Sequence, residues 1–114
     1  MLVSDIVASL PVRVAVGADG LEAEVTGGYA SDLLSCVMAS ARKGNAWVTL
    51  QAHMNVIAIA ALLELACVII TEGATLEADA MARAKERGVV VLYTERGTFE
   101  TVAELAALGV AGGQ

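Results

Sequence analysis

Cys67-Val68-Ile69-Ile70-Thr71-Glu72-Gly73 is the stretch on which the fold turns. Four apolar residues without alternation, bounded by a polar turn, suit a strand covered on both faces, as in a parallel sheet. Working outward, Ala46-Trp47-Val48-Thr49-Leu50 reads as a strand and His53 to Leu65 as a very apolar helix. Downstream, Thr75 opens a helix carrying Leu76, Ala80, Met81 and Ala84, which Gly88 closes. Val89-Val90-Val91-Leu92-Tyr93 is a further apolar strand. Thr98 caps a last helix in which Phe99, Val102, Ala103 and Ala106 recur at helical spacing, ending at Gly109. Alternating strands and helices predict an α/β layer architecture.

The upstream half follows the same logic. Ser4 caps a short helix with Ile6, Val7 and Leu10 on its apolar side, and Pro11 ends it. Val12 to Val16 alternates with period two, as a half-buried strand does. Gly17-Ala18-Asp19-Gly20 is a turn, Glu22 to Thr26 an extended stretch, and Gly27-Gly28 a break. Ser31 is the expected N-cap of a helix bearing Leu33, Leu34, Val37, Met38 and Ala41, with Asp32 in its first turn and Gly44 at its end. The expectation is one α/β domain over residues 1–110, with a mostly parallel central sheet of about four to five strands flanked by helices. Residues 111–114 read as a fraying, flexible tail.

Composition narrows the function classes. The chain has 114 residues, 57% hydrophobic and only 4% aromatic, so the core is aliphatic. Thirteen acidic residues against seven basic ones give a net charge of −6, and no basic stripe exists to neutralise phosphates, which argues against nucleic-acid binding. Val56 to Ile70 is apolar apart from Glu64, but falls short of the roughly 20 residues of a spanning helix. Met1 to Asp5 lacks the positive start of a signal peptide, so a cytoplasmic location without membrane attachment is expected. Cys36 and Cys67 lie within apolar patterns and read as small hydrophobes, with no CxxC spacing for a metal or redox pair.

In parallel α/β sheets, ligands sit beyond the carboxyl ends of the strands. Those ends are Gln51-Ala52-His53-Met54-Asn55, Thr71-Glu72-Gly73 and Thr94-Glu95-Arg96-Gly97-Thr98, and all are polar in an otherwise oily chain. Each leads into a helix whose first N–H groups can hold an anion. His53, the single histidine, can serve as acid, base or hydrogen-bond donor near neutral pH, or as a helix-start residue facing a carbonyl or a neighbouring subunit. Thr26-Gly27-Gly28-Tyr29 is the second candidate, since paired glycines let a backbone approach a ligand or another chain closely. Neither a GxxxxGK[ST] loop nor a GxGxxG turn is present. Asp32, Glu72 and Glu95 have no metal-ligand spacing, and no metal or cofactor is expected. The candidate ligand-binding residues are therefore Thr26, Gly27, Gly28, Asp32, Gln51, His53, Asn55, Thr71 and Thr94, with Gln51 to Asn55 expected to face the Thr26–Gly28 turn.

The run Val25-Thr26-Gly27-Gly28-Tyr29-Ala30-Ser31-Asp32-Leu33-Leu34-Ser35, followed by Trp47-Val48-Thr49-Leu50-Gln51-Ala52-His53-Met54-Asn55, resembles the DRTGG domain family. The naming motif reads Glu24-Val25-Thr26-Gly27-Gly28 here, so Thr-Gly-Gly is retained and the family's arginine is not. The family is similar to the N-terminal domain of HPr kinase/phosphorylase, whose phosphate loop lies in a separate domain. It also accompanies CBS-domain pyrophosphatases and phosphotransacetylases, and stand-alone forms occur near iron-only hydrogenase genes. The resemblance implies a non-catalytic regulatory or sensor domain, homodimeric, that binds a small anionic ligand such as a nucleotide at the strand ends. The alternative is a ligand-free adaptor or dimerisation module that docks on a metabolic, hydrogenase-linked enzyme. A small enzyme using His53 is the third and weakest reading.

Overall fold

The computed structural model describes residues 1–112, in the order α1 (Val3–Ser9), β1 (Arg13–Val16), β2 (Gly27–Ala30), α2 (Leu34–Ser40), β3 (Asn45–Thr49), α3 (Met54–Leu63), β4 (Cys67–Ile70), α4 (Ala78–Arg87), β5 (Val91–Tyr93) and α5 (Thr98–Leu108). The five strands form one sheet in the order β1-β5-β4-β3-β2. β2 to β5 are parallel neighbours in chain order, and β1 closes the far edge antiparallel to β5. The α/β class and the mostly parallel sheet flanked by helices are as the sequence implies.

Alternation along the strands feeds two separate cores. Trp47, Val68, Ile70, Val91 and Tyr93 point to one face, where Val37 of α2, Val56, Ile57 and Ala60 of α3, and Ala80 and Ala84 of α4 cover them. Ala46, Val48, Cys67, Ile69 and Leu92 point to the other, under Val3 and Ile6 of α1 and Leu105 of α5. β4 is buried at all four positions, which is why its sequence carries no polar alternation. Trp47 is fully buried, and its indole N–H donates to the Ser31 carbonyl at 2.9 Å, tying the end of β2 to β3.

Several boundaries and one strand differ from the sequence reading. Glu22 to Thr26 contributes only an isolated bridge between Leu2 and Glu24, whereas the Gly27-Gly28 pair, read as a break, begins β2. Gly28 is there for space: a Cβ on it would meet a Val110 methyl at 3.0 Å. The Gly28 N–H donates to the Ala111 carbonyl at 2.9 Å, and Gly112 bridges to Gly28. Of the tail expected to fray, Ala111 and Gly112 thus run beside β2, and Gly113 and Gln114 lie outside the described residues. Helix α4 starts at Ala78 rather than Thr75, and α2 starts at Leu34 with Leu33, not Ser31, at its N-cap.

The largest departure is the orientation of α5. Its apolar repeat faces outward, with Phe99 86% and Val102 39% exposed, while Thr101 and Leu105 are buried. Thr101 can be buried because its hydroxyl donates to the Gly97 carbonyl one turn back at 2.9 Å.

Burial pushes the Cys67 thiol from an ordinary value of 9.0 up to about 12. The neutral thiol is favoured in the folded chain, so its contribution is fully present below pH 9.0 and is lost as pH rises toward about 12. Urea midpoints measured from pH 8 upward should fall more steeply in the native chain than in Cys67→Ala, and equal slopes would refute the assignment.

Candidate functional site

The parallel strands sort the candidate residues into two groups at opposite edges of the sheet. Gly27 pairs with Asn45 at the start of β2 and β3, while Gln51, His53 and Asn55 follow the other end of β3. With roughly 3.3 Å of rise per residue, the length of β3 separates them. The expected meeting of Gln51–Asn55 with the Thr26–Gly28 turn is therefore corrected: the two do not share a site.

Thr26 to Gly28 instead clamps β2 to the turn before β3. The Thr26 hydroxyl donates to the Lys43 carbonyl at 2.8 Å and accepts from the Asn45 amide at 3.3 Å. The Thr26 N–H donates to the Gly44 carbonyl at 2.9 Å. Gly44 has φ +81°, and a Cβ there would meet the Thr26 side chain at 2.7 Å, so only glycine fits beneath the threonine.

Asp32, Gln51, His53, Asn55, Thr71 and Thr94 lie at the strand C-terminal edge, Asp32 ahead of α2 and not in its first turn as expected, and their polar atoms are unequally free. Asp32 turns to β3, where its Oδ1 accepts from the Thr49 hydroxyl at 2.7 Å and the Leu50 N–H at 2.9 Å. The Gln51 side-chain amide donates to the Asp32 carbonyl at 3.3 Å. Thr71, fully buried, shares a hydrogen bond with the Thr98 hydroxyl at 2.7 Å. Thr94, also buried, donates to the Pro11 carbonyl at 3.0 Å and accepts from the Arg96 N–H at 3.1 Å. These four groups hold loops in place.

His53 and Asn55 are different. His53 is the half-buried N-cap of α3 and makes no side-chain capping bond, and Asn55 is exposed in the first turn. No acidic residue sits in that turn, and no side chain of the N-cap covers the leading N–H groups of α3. The loop before α4 flanks this start, with the Glu77 N–H donating to the Ala52 carbonyl at 3.3 Å.

The start of α5 is already filled. Glu72, a non-glycine residue at φ +62°, swings its carboxylate across to accept the Thr98 N–H at 2.9 Å. Glu100 accepts the Gly97 N–H at 3.3 Å. Backbone bonds from Glu72 to Arg96 (2.8 Å) and from Gly73 to Thr94 (3.1 Å) join the two loops. Sequence reasoning passed over Glu72 as a latch, although a carboxylate followed by glycine after an apolar strand is the available signal. Among the described residues no cluster of three or more His, Cys, Asp or Glu is arranged to hold a metal, and no helix is long and apolar enough to cross a membrane.

The DRTGG domain model matches residues 5–108, nearly the whole chain. The chain belongs to the DRTGG domain family. A solved structure with the same fold is that of the CBS and DRTGG domains of the regulatory region of Clostridium perfringens pyrophosphatase, complexed with its activator diadenosine tetraphosphate. The match has a TM-score of 0.70 at 14% identity and covers 90% of this chain but 44% of that one. This DRTGG domain therefore spans under half the length of that regulatory region. No curated protein sequence matches the chain. In this member of the family, the Thr-Gly-Gly of the naming motif is a structural clamp at the edge remote from His53.

The Glu72 latch is testable through its two opposing contributions. Glu72→Ala loses the carboxylate cap while keeping a side chain at positive φ, and should cost about 1–2 kcal/mol. Glu72→Gly loses the cap but relieves the backbone, so its urea midpoint should lie above that of Glu72→Ala. The reverse order would show that the backbone at Glu72 is not strained, and a Glu72→Ala midpoint equal to the native one would show that the carboxylate does not cap.

Proposed function

We propose that this DRTGG domain is a non-catalytic regulatory module that binds a small anionic ligand, a nucleotide being the leading class, at the start of α3. The observation that carries the reading is the uncapped first turn of α3 beside His53 and Asn55, at the edge where parallel sheets bind ligands. The contrast with α5, whose start is occupied by Glu72 and Glu100, directs an anion to α3. The nucleotide activator of the pyrophosphatase regulatory region supports the ligand class. In this arrangement Asp32, Gln51, Thr71 and Thr94 shape the loops, and His53 and Asn55 supply the direct contacts. Thr26 to Gly28, the remaining candidates, act through the sheet edge and not the ligand.

A homodimer is part of the proposal. Phe99 and Val102 form an exposed apolar stripe on α5, of the kind that a second subunit covers. The same stripe favours the second reading, a ligand-free adaptor docking on a metabolic enzyme, in which the committed hydrogen bonds of Gln51, Thr71 and Thr94 leave little for a ligand.

Thermal unfolding with ATP, ADP, AMP and diadenosine tetraphosphate at about 1 mM separates the two. A ligand at ~100 times its Kd adds about 2.7 kcal/mol, which for a domain of this size is a rise of more than ~10 °C. His53→Ala and Asn55→Ala should each reduce that rise. No rise with any of the four would exclude the nucleotide reading in favour of the adaptor. For the dimer, Phe99→Glu should convert the species seen in sedimentation velocity to monomer. A native chain that is already monomeric at about 100 μM, far above the range of a stable pair, would exclude it.

A further inference from the structure

The basic residues of this acidic chain are gathered at one end. Arg42 and Lys43 follow α2, and Arg83, Lys85 and Arg87 occupy the second half of α4, so five of the seven lie where the parallel strands begin. Cations there are favoured by the negative helix C-termini. Between α3 and α4 this edge opens into a cleft of about 570 Å³ lined by Ala58, Ala61, Leu62, Glu64, Arg83 and Arg87.

The cleft combines an apolar floor with a cationic wall. Leu62 is 66% exposed and Ala58 is exposed beside it on α3. Arg83 and Arg87 stand one helical turn apart on α4, facing that floor. The carboxylates nearby are engaged: Glu86 lies 3.4 Å from the Arg83 guanidinium, and Glu64 lies 3.8 Å from Lys43 Nζ. Arg87 has no ion pair among the described residues.

We propose that this cleft docks an acidic amphipathic helix of a partner protein, with carboxylates on Arg83 and Arg87 and an apolar side chain on Leu62 and Ala58. Arginine binds carboxylates in a planar fork, and a helix laid in a groove presents such groups one turn apart. A nucleic acid is a poor occupant, because the two arginines of the cleft are too few to follow a phosphate backbone, which takes a stripe of cations. Self-association of the chain that the double variant Arg83→Glu, Arg87→Glu abolishes would assign the cleft to a second copy and overturn the proposal. The surface is independent of the strand-end ligand, as the cleft lies at the far end of α3 from His53.

The test uses the full chain and two labelled helical peptides of about 15 residues, alike in a leucine stripe and flanked by glutamate in one and lysine in the other. Fluorescence anisotropy should show the glutamate peptide binding at least ~10-fold tighter than the lysine peptide. Leu62→Glu and the double variant Arg83→Glu, Arg87→Glu should each weaken it by ~10-fold or more, while His53→Ala leaves it unchanged. Amide shifts on binding should centre on Ala58, Leu62 and Arg87. Absence of binding by the glutamate peptide at about 1 mM, insensitivity to the arginine changes, or tighter binding to single-stranded DNA or anionic vesicles would each overturn the proposal. The altered side chains are at the surface, and circular dichroism of the variants confirms that loss of binding is not loss of fold.

Discussion

A strand that is apolar at every position has to be covered on both faces, and β4 imposes that condition on everything around it. Helices must lie above and below the sheet, so the chain alternates strand and helix. The first coverings are α2, α3 and α4 on one side and α1 and α5 on the other. Because β3 and β5 flank β4 and are buried on the same terms, their side chains also divide between two cores. The price is a mostly aliphatic sequence, with polar residues confined to the ends of elements.

Parallel packing then gives the molecule two chemically different edges. Where the strands end, Asp32, Glu72 and Glu100 engage loop amides and the start of α5, while α3 begins with no side-chain cap and no acidic residue in its first turn. Where the strands begin, the helix C-termini collect the arginines and lysines. The Thr-Gly-Gly clamp belongs to this second edge and holds β2 in register beside Asn45.

The central units were legible because continuous apolar runs leave few alternatives, and the loops after β3, β4 and β5 fell where the periodicity ended. β2 was not legible in the same way. Its first two residues are glycines, which carry no side-chain pattern, and the reason for Gly28 is Val110, distant in sequence. Missing that strand also misplaced the site: once β2 is seen to run parallel to β3, Thr26 and His53 must stand at opposite ends. In α5 the apolar spacing was real but marked the outer face, because Thr101 satisfies its own hydroxyl locally and is buried in place of Phe99. Asp32 was read as a helix-start charge, and its partner, Thr49, lies on a neighbouring strand.

The order of the sheet has a consequence for how the chain assembles. β3, β4 and β5 each pair with the strand immediately before them in sequence, so each unit can add to an edge already made, at small loop-closure cost. β1 is the exception. It precedes all of them, yet its only strand partner is β5, the last to be made, and nearly the whole chain must be in hand before Arg13 can lie over the Tyr93 ring at 4.8 Å. The edge formed by β1 is therefore the long-range closure of the domain, joined after the sheet has grown to meet it.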